Sequence, residues 1–362
     1  MPDLQTHEDS VDAGRLHLLG CDLTALEQWL LGAGHPRFRV EQILKWIYEK
    51  NATTFEAMSN LPKSLRAWLD QRALICSGEV TREAIADDGT RKLLLTFPDG
   101  AAIETVWIPA GPRHTACLST QVGCAVGCCF CASGLDGVQR NLTAGEIVEQ
   151  ALRIRRLIAE EEDDSAGRLS NVVIMGMGEP LANYEQLVKA LRIINAPWGL
   201  GIGARKITVS TIGLPKQIRR LAQEDLQLNL ALSLHAPDDE LRRELVPWAR
   251  AAPIAELVDA CRDYFNTTGR EVTLEYVLLD EVNMRARHAE GLAKIAKRLR
   301  ANVNLLRYNP VVGLPYRRPG SEATYEFQRR LRERGVNAHV RSSRGKDVDA
   351  ACGQLRRSTR EA

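Results

Sequence analysis

The sequence predicts an α/β protein: a partial barrel of parallel strands, preceded by a small helical domain and a short β-meander. Three observations carry this. From His114 onward, apolar strand-like runs alternate with amphipathic helical patterns, the mark of repeated βα units around a mostly parallel sheet. Near the N-terminus, Leu23, Leu26, Leu30 and Leu31 share one helical face. Between these regions, Asp88-Gly89 and Asp99-Gly100 punctuate Val80 to Pro109 as turns do between antiparallel strands.

Taken in order, residues 1–21 carry acids and histidines with no apolar period and read as a flexible tail. They lack the basic region and apolar core of a secretory signal. Residues 22–75 read as a helical accessory domain, whose second helix places Ile43, Leu44 and Ile47 together. The turn Gly34-His35-Pro36-Arg37-Phe38-Arg39 sets positive charge ahead of that helix, suited to a phosphate backbone or simply to connecting two helices. Residues 76–112 read as a β-meander linker and 113–345 as the barrel, with strands at 115–120, 171–176, 206–211, 227–234, 271–279, 302–308 and 336–341. A helix over 144–160 opens on a Thr143-x-x-Glu146 capping box and repeats Ile147, Ala151, Ile154 and Ile158 on one face. Residues 346–362 form a C-terminal segment.

In barrels of parallel strands the chemistry collects where the loops leave the C-terminal strand ends. The loop after the first strand reads Cys124-Ala-Val-Gly-Cys128-Cys129-Phe130-Cys131. Thiolates at Cys124, Cys128 and Cys131 can converge on one metal centre, and a four-iron cluster held by three of them keeps one iron open. A zinc site with a distant fourth ligand, or buried cysteines acting as small hydrophobes, are the alternatives. Cys129 breaks the spacing and reads as a spectator. The next strand ends in Gly176-Met177-Gly178-Glu179-Pro180, where glycines let backbone approach a ligand and Glu179 can accept from an ammonium group. Ser210-Thr211, Ser233-Leu234-His235 and Asn309 end later strands.

Composition narrows the class. The chain has 362 residues, 44% of them hydrophobic, enough for one large domain with an accessory domain. No apolar run approaches the roughly 18 residues of a membrane span, so a cytoplasmic protein is expected. Nine cysteines there suit metal binding or redox chemistry better than a disulfide framework. The net charge of +2 hides an asymmetry: from Lys297 onward, 16 Lys and Arg stand against 6 Asp and Glu, leaving a net −8 before it. Arg329, Arg330, Arg332 and Arg334, with Arg341, Arg344 and Lys346, suit a polyanionic partner.

The cysteine pattern, with Phe130 before the last ligand, resembles the radical S-adenosylmethionine superfamily. The resemblance narrows to the RlmN/Cfr family of radical-SAM RNA adenine methyltransferases, most like its RlmN branch. It rests on Pro36-Arg37-Phe38-Arg39, Glu104-Thr105-Val106, Gln121-Val122-Gly123-Cys124, Gly176 to Leu181, Ser233-Leu234-His235-Ala236-Pro237 and Asp349-Ala350-Ala351-Cys352-Gly353-Gln354-Leu355. It implies a partial (β/α)6 radical-SAM barrel and a [4Fe-4S] cluster on Cys124, Cys128 and Cys131. It also implies S-adenosylmethionine bound by Gly178, Glu179, Ser210, Ser233, Leu234, His235 and Asn309. In the family, reduction of the cluster cleaves the sulfonium to a 5'-deoxyadenosyl radical, a step the cofactor supplies and the protein orients. Cys352 is implied as the methylated residue, Cys117 as the thiol that resolves a covalent RNA intermediate, and Glu104 as the proton acceptor. The implied reaction is methylation of carbon 2 of adenine in 23S rRNA and tRNA, with a flavodoxin or ferredoxin as electron donor.

That division of labour has a chemical reason: carbon 2 of adenine is electron-poor, so a methyl cation equivalent cannot simply be delivered to it and a radical route is needed. Arg307-Tyr308-Asn309-Pro310-Val311-Val312-Gly313 departs from the commoner apolar, proline-bearing version of the family. Two rival readings stand beside this one: methylation at carbon 8, as in the Cfr branch, and a non-catalytic iron–sulfur or zinc RNA-binding protein.

Overall fold

The computed structural model describes residues 14–161 and 168–356. The first thirteen residues of the expected tail and the last six of the C-terminal segment lie outside the described residues. The chain runs through β1 (Leu16–His17), α1 (Leu23–Gly32), α2 (Phe38–Tyr48), α3 (Lys63–Arg72), β2 (Ala73–Leu74), β3 (Glu79–Ile85), β4 (Arg91–Thr96), β5 (Ala102–Ala110) and β6 (Arg113–Cys117). It continues through β7 (Gln121–Gly123), β8 (Val138–Asn141), α4 (Ala144–Glu161), β9 (Leu169–Ile174), α5 (Tyr184–Asn195), β10 (Ile207–Thr211), α6 (Pro215–Leu221) and β11 (Asn229–Ser233). α7 (Asp239–Leu245), α8 (Ile254–Thr268), β12 (Val272–Leu278), α9 (Ala286–Leu299), β13 (Asn302–Arg307), α10 (Ser321–Glu333) and β14 (Ala338–Arg341) complete it.

Ten strands form one sheet in the order β14-β13-β12-β11-β10-β9-β6-β5-β4-β3. From β6 to β14 every neighbouring pair is parallel, giving six βα units and a seventh strand. The fold is the partial radical-SAM barrel. The central strands β11 and β12 are buried along most of their length, as strands of a parallel sheet covered by helices are. α4 opens on the capping box: Thr143 Oγ1 accepts from the Glu146 N–H at 3.2 Å and the Glu146 carboxylate accepts from the Thr143 N–H at 2.8 Å.

Five of the seven expected strands end one to three residues sooner than drawn, β6 at Cys117 rather than 120 and β9 at Ile174 rather than 176. Past those points the two chains still bond, Leu118 N–H to Val173 and Gly176 N–H to Leu118, while bending into the barrel mouth. Cys117 is therefore the last residue of its strand, not one near its start.

Two expected boundaries differ. β3, β4 and β5 are not a linker: they extend the barrel sheet in antiparallel fashion, β5 pairing with β6. Period-two patterning reveals strands without revealing their partners. Residues 14–21, read as tail, are packed: Leu18 and Leu19 are buried in the main core, and β1 pairs with β2. So short a stretch offers no period to read.

The apolar interior divides in two. The main core runs from the accessory helices through the sheet to α10. A smaller cluster of Val126, Phe130, Ile212, Ala236, Val277, Leu279 and Tyr308, among others, lies at the barrel mouth and carries Cys124, Cys128 and Cys131 at its edge.

Candidate active site

The cysteine loop is held between β7 and β8, which pair antiparallel. Gly123 precedes the first cysteine at φ +81°, and a Cβ there would meet the Gly137 carbonyl oxygen at 1.9 Å, so only glycine fits. The Cys124 N–H then donates to that carbonyl at 3.1 Å, and the Cys131 N–H donates to Cys128 O at 3.1 Å. Phe130 sits edge-on against His235, ring centroids 5.0 Å apart, which anchors the loop to the end of β11.

Burial pushes all three thiols up, Cys124 to about 12. Cys131 adds to the rise at both Cys124 and Cys128, and all three residues pack at the edge of the same small apolar cluster. A bound cationic centre reverses that logic by deprotonating its thiols outright. Among the described residues no three His, Cys, Asp or Glu side chains are grouped tightly enough for a single metal ion. A four-iron cluster asks for something wider, because each thiolate takes a different iron, and three soft donors around an apolar seat fit it. Cys129 is engaged elsewhere: its N–H donates to Leu245 O at 3.0 Å and its thiol to Glu244 O at 3.1 Å.

The Gly-Glu turn lies against this loop. Gly178 has φ +98° and a Cβ would strike Gln121 at 2.6 Å. Glu179 is buried; burial lifts its carboxyl to about 7. Its oxygens accept from Leu181 N at 3.0 Å, Thr211 Oγ1 at 2.7 Å and Ile212 N at 2.9 Å. A carboxylate has about four acceptor sites, so one remains. Ser210 and Ser233 meet side by side, hydroxyl to hydroxyl at 3.1 Å. His235 adopts φ +59°, and burial, then Arg242, lowers it to about 3. Its Nδ1 accepts from the Val277 N–H at 3.1 Å, so a neutral ring carries its proton on Nε2. The Leu234 side chain belongs to the main core and offers a ligand nothing but backbone.

The C-terminal segment crosses the mouth. Gly353 O accepts from Ala132 N at 2.8 Å and Leu355 O from Ser133 Oγ at 2.7 Å, both just beyond the last loop cysteine. Asn309 Nδ2 donates to Cys352 O at 3.3 Å. Cys352 is exposed at the mouth, and partial desolvation by the surrounding chain, then Glu275 and Cys131, raises its thiol. Cys117 is buried beneath, its thiol pushed up by burial and next by Cys352. Glu104 on β5 completes the group: its Oε2 accepts from Arg356 N at 2.8 Å, and its Oε1 pairs with Lys92 Nζ at 2.8 Å. The C-terminal segment thus carries Cys352 past Asn309, past the two residues after Cys131 and on to Glu104, with its thiol near enough to raise that of Cys117.

Two family models match this chain: the ribosomal RNA large subunit methyltransferase N-terminal domain over residues 16–75 and the radical SAM superfamily over 118–292. A probable dual-specificity RNA methyltransferase RlmN of Syntrophomonas wolfei is 46% identical over 94% of this chain and 96% of its own length. The chain belongs to the RlmN family. Another member, the dual-specificity RNA methyltransferase RlmN of Alcanivorax borkumensis, is 43% identical over 94% of this chain and 90% of its own. A radical SAM methyltransferase from Sphaerobacter thermophilus, solved by crystallography, superposes with a TM-score of 0.92 at 48% identity, covering 94% of this chain and 99% of that one.

Several residues of this RlmN-family site escape sequence reasoning. Lys92 is a diagonal neighbour of Glu104, because Leu94 stands opposite Glu104 in the β4–β5 register. Arg242, fully buried, donates through Nε to Leu234 O at 3.2 Å and lies near Cys128. Gln121 receives the Glu179 N–H at 2.9 Å. Only the alternation around Lys92 was available as a signal, and it needed the register. Arg329 and Arg330, expected on a polyanion, instead pair with Glu326 at 2.7 and 2.8 Å, and Arg334 pairs with Glu290 at 3.0 Å. The i,i+3 and i,i+4 spacing on α10 neutralises much of the charge counted there.

Proposed function

We propose that the protein methylates carbon 2 of adenine in RNA, in 23S rRNA and in tRNA, with Cys352 as the methyl carrier. The observation that carries this is the docking of the C-terminal segment across the barrel mouth: it bonds to Ala132 and Ser133 just beyond Cys131, to Asn309 at Cys352 itself, and to Glu104. In this reading Cys124, Cys128 and Cys131 hold a [4Fe-4S] cluster. Gly178, Glu179, Ser210, Ser233, Leu234, His235 and Asn309 hold S-adenosylmethionine, Glu179 with its spare acceptor site toward the amino group and Asn309 toward the carboxylate or ribose. Cluster and S-adenosylmethionine together supply the radical chemistry when bound.

The chain's own residues do the rest. Cys352 accepts the methyl group on sulfur and presents it to the base; its exposure at the mouth lets RNA reach it. The target base leaves its stack to enter, at a cost of a few kcal/mol. Glu104 takes the proton from the substituted ring carbon. Cys117 attacks the Cys352 sulfur: the sulfur–sulfur bond forms, the bond from that sulfur to the methylene carbon breaks, and the carbon takes up a proton as methylated RNA leaves, with a transient disulfide left for reduction. Cys117 and Cys352 both carry free thiols in the structure. No helix among the described residues is long and apolar enough to cross a membrane, consistent with a cytoplasmic enzyme served by a flavodoxin or ferredoxin.

Nucleosides from RNA incubated with reduced, cluster-loaded protein and S-adenosylmethionine should contain 2-methyladenosine. Finding 8-methyladenosine instead would move the protein to the other regiochemistry, and finding no 5'-deoxyadenosine would sink the radical reading.

Lys92 offers a second handle. Burial raises the Glu104 carboxyl above its ordinary range while Lys92 opposes the rise. With Lys92→Met the carboxyl rises further and stays protonated, unable to accept a proton, to higher pH. The acid limb of the pH–kcat/KM profile should therefore move to higher pH. A limb that stays in place would mean Lys92 does not govern the base.

A further inference from the structure

The positive charge of the C-terminal third is uncompensated in one place. Arg307 ends β13, Arg318 lies in the loop that follows, and Lys346 lies on the approach to Cys352. Among the described residues none of the three has an acid within ion-pair distance. Arg318 Nη1 donates to Asn309 Oδ1 at 2.8 Å and to Tyr308 O at 3.2 Å, and Asn309 donates in turn to Cys352 O at 3.3 Å. Arg307 Nη1 reaches only the Ser321 hydroxyl, at 3.3 Å. Arg307 Nε and Arg318 Nη2 are buried atoms with no partner.

The three charges feel one another. Burial, then Arg318 and Arg307, lowers the Lys346 ammonium, and burial, then Arg307, lowers Arg318. Asp88 attracts Lys346, but it already accepts from Thr90 N and Gly345 N and stands 3.8 Å from Arg344. Buried N–H groups without acceptors, beside mutually repelling cations, are costly unless an anion joins them. Two guanidinium groups and an ammonium match the oxygens of a phosphate.

We propose that Arg307, Arg318 and Lys346 form a phosphate pocket at the barrel rim, which grips the RNA backbone next to the nucleotide presented to Cys352. This rests on the RNA reading above and narrows it: the backbone is held here, not along Arg329 and Arg330 of α10. The pocket is linked through Asn309 to the Cys352 carbonyl, so a phosphate seated in it fixes how far the target base reaches.

The test is binding of a labelled adenosine-containing hairpin RNA that the wild-type protein methylates, from about 50 to about 200 mM KCl. Arg307 and Lys346 are varied, since Arg318 also holds Asn309. Arg307→Gln/Lys346→Gln should weaken binding about tenfold and flatten the slope of log Kd against log salt by about one. Arg307→Lys/Lys346→Arg should restore it, and Arg329→Gln/Arg330→Gln should leave the slope as in wild type. A slope unchanged in the Arg307/Lys346 double variant overturns the pocket. So does loss of RNA-independent Cys352 methylation with an unchanged slope, which would assign the cations to the cofactor's carboxylate. A wild-type protein that binds and methylates no RNA overturns the RNA reading itself, and this one with it.

Discussion

Cys117→Ala protein, purified from cells, should carry RNA covalently attached through Cys352. The prediction follows from the proposed order, in which Cys352 makes the carbon bridge to the base and Cys117 acts only to break it. Without Cys117, turnover should stop after addition and multiple-turnover methylation should fall by about a thousandfold or more, as loss of a nucleophile commonly does. Cys352→Ala should carry no RNA, because no methyl carrier remains, and the double variant should match Cys352→Ala because it fails at the earlier step. Digestion and mass spectrometry should find an adenosine-bearing methylene on the Cys352 peptide of Cys117→Ala alone. Adduct-free Cys117→Ala protein that still makes methyladenosine at the normal rate would remove the role assigned to Cys117.

Replacing any one of Cys124, Cys128 or Cys131 by Ala should abolish iron binding, the visible iron–sulfur absorbance and S-adenosylmethionine cleavage together. In the proposed reading each thiolate holds a separate iron, and the neighbouring Cys129 is tied to Glu244 instead. The fold should survive, because the loop is seated by Phe130 and its neighbours and a single small truncation costs about 1 kcal/mol. Far-UV circular dichroism should therefore match wild type. Cys129→Ala, reconstituted anaerobically, should keep its absorbance; losing it would show that the ligands are misassigned.

What the sequence made legible was local. The cysteine spacing, the Gly-Glu turn and the capping box at Thr143 each lie within a few residues, and the alternation of strand and helix patterns gave the barrel. What it withheld depends on partners far along the chain. The resemblance names Cys117 and Cys352 as partners 235 residues apart, but what brings the terminal segment to the mouth is its bonding to Ala132, Ser133, Asn309 and Glu104, and no periodicity encodes such a crossing. The meander joined the barrel sheet because β5 found β6, a pairing invisible to alternation. The arginines of α10 looked like a nucleic-acid face because charge was counted without geometry; Glu326 sits one helical turn away from two of them. Arg307 drew notice only as a departure from the family pattern, and its meaning depends on Arg318 and Lys346 beside it.

The small apolar cluster beneath Phe130 bears on how such a protein comes into being. Domains built around a structural zinc are unfolded until the metal arrives, because the ion replaces a core they lack. Here the loop already rests on Val126, Ile212, Val277 and Leu279, apart from the main interior. In the proposed reading the metal centre is therefore not what folds this loop, because its seat is apolar packing that the chain supplies itself.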